Sequence, residues 1–586
     1  MLMPALSDTE KSSVTTEAFA GYNHNLEIGD GEFFDMKNLT ADNYPLLSQR
    51  QKRSFARMLN APQALVSRDA LCWIDNQQLY ISGYSMAEHM PSVQITSGKK
   101  QIVSMGAYLC IFPDGIYFNT EKYSDNGYMG HANSVALGAS RKLGISLCTV
   151  DGTAITVSYT QSDQPENATN GQYWIDTSGS VHTLKQYAAT TSQWVSVPTV
   201  YLKLTADGIG QGFAKYDGIR LSGLEGTEQI QALNGSHILY DVAESYIVIV
   251  GIVDQTTELT SGTVKTERKV PEMDYVTESG NRLWGCKYGV VDGETVNELY
   301  CCKLGDFKNW ECYEGVATDS WRASCGTDGR WTGAATLTDS PIFFKEDCFH
   351  RVYPSAQGAH RVVEQKCEGV QRGSEKSLIV VDDRLYYKSR MGVCVYDGSL
   401  PSNIGSTFGN VLYYEAVAGG VRGKYYISMR SSEGVWALFC YDTRRGLWHK
   451  EDSLHAAEFA RVDDELYCLD SEKKLRCLYG SEGALEDAVS WMAETGMMTY
   501  GLAGKKYITR LDLRMQLPKG SSMDFWIQYD SDGQWRHSGH LDGKGLRTFL
   551  LPIRPCRCDH LQFRMTGKGE IKLYGLTRVL EAGSDA

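Results

Sequence analysis

The chain has 586 residues, 42% hydrophobic and 22% charged, which excludes a disordered protein and points to roughly two to four folded domains. Its formal charge is −13, with a pI near 5.5. That balance argues against a protein that grips nucleic acid through its phosphates, and it is compatible with an acidic channel through which DNA slides without sticking.

In chain order, residues 1–20 are rich in Ser, Thr, Asp and Glu and read as a flexible arm. No charged n-region precedes a long apolar core here, so no signal peptide is expected. Residues 21–144 carry the first strands and two copies of a phrase that defines the chain. The phrase is an apolar pair, an Asp/Asn/Gly turn, and an apolar-aromatic pair. The two copies are CWIDNQQLYISG from Cys72 and LCIFPDGIYF from Leu109. Each reads as one β-hairpin. The phrase is absent from residues 145–265, a Thr/Ser/Gly-rich stretch read as an inserted β-rich domain. Its apolar run Tyr246–Val253 is too short to span a bilayer and reads as a buried strand. The phrase resumes between 266 and 482, at Tyr275, Leu337, Leu378, Lys424 and Phe459, giving about seven copies in all. Hairpins repeated in this way predict an all-β fold, a β-propeller of about seven blades. Residues 483–586 alternate over five strand-like runs and read as a C-terminal β-sandwich, with ALEDAVSWMAE from Ala484 as the best short helix.

No P-loop, GxGxxG, GxSxG or HExxH motif occurs, and no cofactor is expected. The 16 cysteines include no CxxC pair and mostly sit in strand-like runs, which fits reduced core thiols. One metal-like constellation stands out: Cys556, Cys558 and His560 share a strand face at i, i+2, i+4, with His537 and His540 close enough in sequence to complete a set. The usual zinc spacings are missing, so a sandwich strand with buried thiols is the plainer reading. The Asp-Gly-x-Trp pair at Asp328–Trp331 and Asp532–Trp535 resembles sialidase-type turns only faintly and reads as turns before core tryptophans. The acid pairs Asp382/Asp383 and Asp463/Asp464 recur at one place in the phrase, as turn residues do. The basic cluster Arg50, Lys52, Arg53 and Arg57 fits either a phosphate or acidic-partner contact or a solvated strand end.

The segment Gly31–Arg53, GEFFDMKNLTADNYPLLSQRQKR, resembles the N-terminal signature of bacteriophage and prophage β-propeller virion proteins. The matching residues are Asn38, Leu39, Tyr44, Pro45, Ser48, Arg50 and Arg53, which become candidates for assembly. The resemblance implies a tail nozzle, tail hub or head–tail connector, without enzymatic activity. It would form a ring with itself, six copies being expected, that continues the axial DNA channel. Its partners would be adaptor or portal-side proteins and tail fibres or tip proteins, and DNA would pass without specific binding. The location implied is the virion, assembled in the bacterial host cytoplasm. Two alternatives stand beside it: a phage adhesin recognising host-surface carbohydrate, and a propeller glycosidase, for which no converging acid set is visible.

Overall fold

The repeated phrase folds as read because its turn residues tolerate the left-handed backbone. Tight two-residue hairpins need φ > 0 at both central positions. Asn76 and Gln77 take φ of 49° and 65°, and Asp382 and Asp383 take 48° and 59°. The structure is a computed structural model that describes residues 11–480, 484–502 and 504–582.

Seven antiparallel units follow from the seven phrases, six of them four-stranded and the last five-stranded, spanning residues 62–85, 101–128, 275–324, 333–366, 379–403, 413–450 and 456–479. The last supplies only three strands of its own. Its fourth is Ser54–Met58, which pairs with Lys474–Tyr479 and so clasps the ring shut. Apolar clusters bridge neighbouring blades all the way round. Blades one and two share Ile74 and Leu109, three and four share Trp284 and Phe343, and seven and one share Leu469 and Trp73. The fold is therefore a closed all-β propeller of seven blades with an inserted β domain and a β-sandwich.

The inserted domain spans residues 131–268, wider than the expected 145–265. Its first and last strands, His131–Ala136 and Thr263–Arg268, pair with each other. The chain thus leaves and re-enters the propeller at one point, and the ring continues undisturbed. The run from Tyr246 is the buried strand Tyr246–Val250 of its core.

Three expectations are corrected. Residues 1–20 are not simply an arm: Lys11–Thr16 pairs with the last strand, Lys11 opposite Glu581, and Phe19 is buried; residues 1–10 lie outside the described ones. Residues 21–49 are not blades. Gly21–Tyr22, Glu32–Lys37, Leu39–Thr40 and Leu47–Gln49 complete the two six-stranded sheets of the sandwich. The helix expected at Ala484 is instead the strands Ala484–Leu485 and Ser490–Thr495, because Trp491 and Ala493 alternate into the sandwich core.

That core is continuous with the propeller. Tyr425, Phe439 and Trp448 of the sixth blade pack in one cluster with Tyr22, Phe33, Met36 and Leu39 of the sandwich. Trp448 is fully buried, and its indole N–H donates to the Ile404 carbonyl at 2.7 Å. Trp448→Ala is expected to cost about 3–5 kcal/mol, as deletion of a buried indole does. In calorimetry, sandwich and propeller should lose stability together; a variant in which only one of two transitions moves would refute a shared core.

Candidate functional site

Five residues of the virion-protein resemblance, Asn38, Leu39, Ser48, Arg50 and Arg53, are buried near the joint between propeller and sandwich, whereas Tyr44 and Pro45 are exposed. Asn38 adopts φ 56°, a conformation in which Asn is enriched. Its amide N–H₂ donates to the Ser490 carbonyl at 2.8 Å, its backbone N–H donates to the Glu451 carbonyl at 2.8 Å, and its side-chain oxygen accepts from Arg50 Nε at 2.8 Å. Leu39 and Ser48 are buried, and Ser48 Oγ accepts from Asn43 at 2.9 Å. Tyr44 lies under the Arg445 guanidinium, and the Pro45 carbonyl accepts from the Phe19 N–H at 3.0 Å.

Arg50 and Arg53 are each 6% exposed and face Glu451, Asp452 and Glu486. Arg53 forks onto Glu451 Oε2 at 2.6 Å and Asp452 Oδ2 at 2.7 Å, and its backbone N–H donates to Glu486 at 2.8 Å. Burial alone would lower the Arg53 pKa; the carboxylates of Asp452 and Glu451 more than offset it and hold the guanidinium charged. Burial pushes Asp452 and Glu486 up, and the arginines pull both below the usual carboxylate range. These arginines are thus spent inside the chain, which corrects their reading as assembly contacts or as a solvated strand end. Arg57 instead covers the Trp73 ring, and Lys52 is exposed.

The metal-like constellation is not assembled. His537 Nε2 and His540 Nδ1 both meet Asp524 Oδ1, at 2.9 and 2.8 Å. His560 turns to Ser531 at 2.7 Å, Cys558 is buried against the Lys506 carbonyl, and Cys556 is exposed. Among the described residues no group of three such side chains is placed to hold a metal ion. In the two Asp-Gly-x-Trp turns, Gly329 and Gly533 take positive φ, Trp331 is core, and Trp535 stacks on Arg564.

A second site, missed from the sequence, lies on the propeller axis. The innermost strands of all seven blades line a cavity of about 460 Å³. Asp274, Glu375 and Glu458 reach it from three different blades, with Lys99, Lys376 and Tyr275 beside them. Lys376 pairs with Glu458, and Asp274 pairs with Lys287 at 3.2 Å. Burial pushes the Glu458 carboxyl up, only partly offset by Lys376; burial and then Glu375 push the Tyr275 hydroxyl up. The groups could hydrogen-bond a hydroxylated ligand. No local motif announces them, because each comes from a different blade.

Neither a protein-family model nor a curated protein sequence matches the chain. Solved structures do. One described as a glycoside hydrolase shares 11% identity over 51% of this chain and 96% of its own, with a TM-score of 0.19. An exo-β-1,3-galactanase from Phanerochaete chrysosporium shares 9% over 76% of this chain and 100% of its own, at 0.17. A Trypanosoma rangeli sialidase shares 10% over 97% and 95%, at 0.16. The expectation of a chain without enzymatic activity is corrected by these neighbours, which are named as glycosidases. With TM-scores this low they assign no particular chemistry to it.

Two outcomes test these sites. Asp452 and Glu486 stabilise the fold above their unfolded pKa values of about 4, and that contribution is lost as pH falls. Arg53→Met should cost about 3–5 kcal/mol near neutrality, by leaving buried carboxylates without their cation. Its stability should also fall less than that of the wild type between about pH 6 and pH 4, read from denaturant melts across pH. At the axis the sign reverses. The raised Glu458 pKa favours the fold below the ordinary Glu range, and the benefit is lost as pH rises. Lys376→Met should therefore melt close to wild type near about pH 4 and clearly lower near about pH 8; equal melting at both would remove the ion pair from the account.

Proposed function

We propose that the chain is a structural subunit of a bacteriophage tail, a nozzle or hub protein whose ring continues the axial DNA channel. One observation carries this reading. Three of the residues that resemble the virion-protein signature, Asn38, Arg50 and Arg53, form the joint that fixes the sandwich to the propeller, and the segment leads directly into the clasp strand Ser54–Met58. The likeness therefore falls on residues that set the architecture.

The propeller axis is not the DNA path, since its cavity of about 460 Å³ is far too small for a duplex and is crossed by the Lys376–Glu458 pair. The channel would run between subunits, and an overall charge of −13 would keep its wall from holding phosphate. The inserted domain, tied to the ring at one point, suits contact with a neighbouring tail component.

Electron microscopy of the parent virions with antibody against residues 131–268 tests the reading. Label on the tail axis, at the neck or distal opening, is the expected result. Label confined to peripheral fibres, or none on the particle, would overturn it.

A further inference from the structure

The sandwich has two unlike flanks. On one, Gly21–Tyr22 and Leu39–Thr40 abut the sixth-blade strand Leu447–Lys450, so that side is covered. On the other, each sheet ends in a strand with no further neighbour among the described residues: Arg536–Asp542 in one sheet and Gly545–Leu550 in the other. The two strands are consecutive in sequence, and Ser538 Oγ donates to the Pro552 carbonyl at 2.6 Å, so the two open edges lie side by side. Open edges present unpaired N–H and C=O groups, and natural proteins usually blunt them or use them.

This flank is unblunted in one respect and marked in another. Leu546 and Leu550 are 53% and 66% exposed, both on the outer face of the edge strand Gly545–Leu550, while Phe549 points into the core. From Arg536 to Arg557 the sequence holds five Lys or Arg against one carboxylate, in a chain of net charge −13. Arg536 is engaged by Asp532, whereas Lys544, Arg547 and Arg554 are exposed. The remainder of the chain is correspondingly more acidic.

We propose that this flank is a docking surface for a second copy of this chain, bound through a different, acidic surface of that copy. The charge decides the geometry. Two such flanks face to face would oppose like charges, which disfavours a two-fold contact. A basic flank against an acidic surface is a heterologous contact, and heterologous contacts close into rings. The inference rests on the ring reading above and adds the surface that builds it.

The test uses the purified full-length chain, with light scattering after gel filtration and labelling of Cys556, the one exposed cysteine, by a maleimide. The wild type should self-associate at low salt and loosen as salt rises. Leu546→Glu/Leu550→Glu should weaken association about 100-fold, the share of two buried leucines, at an unchanged melting temperature. Lys544→Glu/Arg547→Glu should also weaken it. Cys556 labelling should slow on association in the wild type and not in the variants. A monomer at all concentrations, association untouched by both variants, or a dimer that buries flank against flank would each overturn the proposal. If virions carry label on the tail axis while the variants associate as the wild type does, the ring is built elsewhere and the tail reading survives.

Discussion

The buried charges at Arg50 and Arg53 are the constraint on which the rest of the architecture turns. Removing two guanidiniums and the Glu451 carboxylate from water, with Asp452 and Glu486 partly buried beside them, is costly, and the cost is offset only if the charges find partners. Here the partners come from three separate stretches: the crossover from sandwich to clasp, the link between the sixth and seventh blades at Glu451 and Asp452, and the exit from the ring at Glu486. None of these stretches can shift without stranding a charge. Arginine suits the position because its planar fork engages two carboxylates at once, as Arg53 does, where a lysine ammonium would act as a point charge.

Around this joint, one N-terminal segment closes two structures. Its strand Lys11–Thr16 and the strands up to Leu47–Gln49 complete the sandwich, and its strand Ser54–Met58 completes the propeller. The inserted domain is secured by the same means on a smaller scale. Arg268 pairs with Asp217 and donates to the Met129 carbonyl at 3.0 Å; Asn309 of the third blade donates to Asp217 at 2.9 Å. At both junctions a buried arginine, rather than an apolar patch alone, sets the orientation of the parts.

The propeller was legible because its signal is local. A short turn rich in Asp, Asn or Gly between alternating apolar runs states a hairpin, and seven such statements state seven blades. The insertion was legible as the stretch where the statement stops. Local signals could not say which sheet a strand joins. Phe33 and Met36 are apolar residues that could fill a blade or a sandwich, and the deciding partner, Glu494 opposite Asp35, lies far along the chain. For the same reason Arg50 and Arg53 looked like a basic strand end: their burial is set by carboxylates some 400 residues away. ALEDAVSWMAE carries helix-forming residues, yet sandwich packing of Trp491 and Ala493 outweighs that preference. The axial groups Asp274, Glu375 and Glu458 have no shared sequence context at all.

This wiring has a consequence for how the protein comes into being. The N-terminal strand pairs with the last one, Lys11 opposite Glu581, and the ring closes only when Ser54–Met58 meets Lys474–Tyr479, so both closures join distant parts of the chain. Such non-local pairing carries a large loop-closure cost and slows folding. Until closure, the sandwich core and the open edge of the seventh blade would be exposed together. The charged joint counters this by coupling the two closures: docking Ser54–Met58 on the seventh blade brings Arg53 to Asp452 and Glu451, and Arg50 beside it to Glu486. One event then satisfies the buried charges, shuts the ring and seats the sandwich, so a half-closed chain bears unpaired buried charge and is strongly disfavoured.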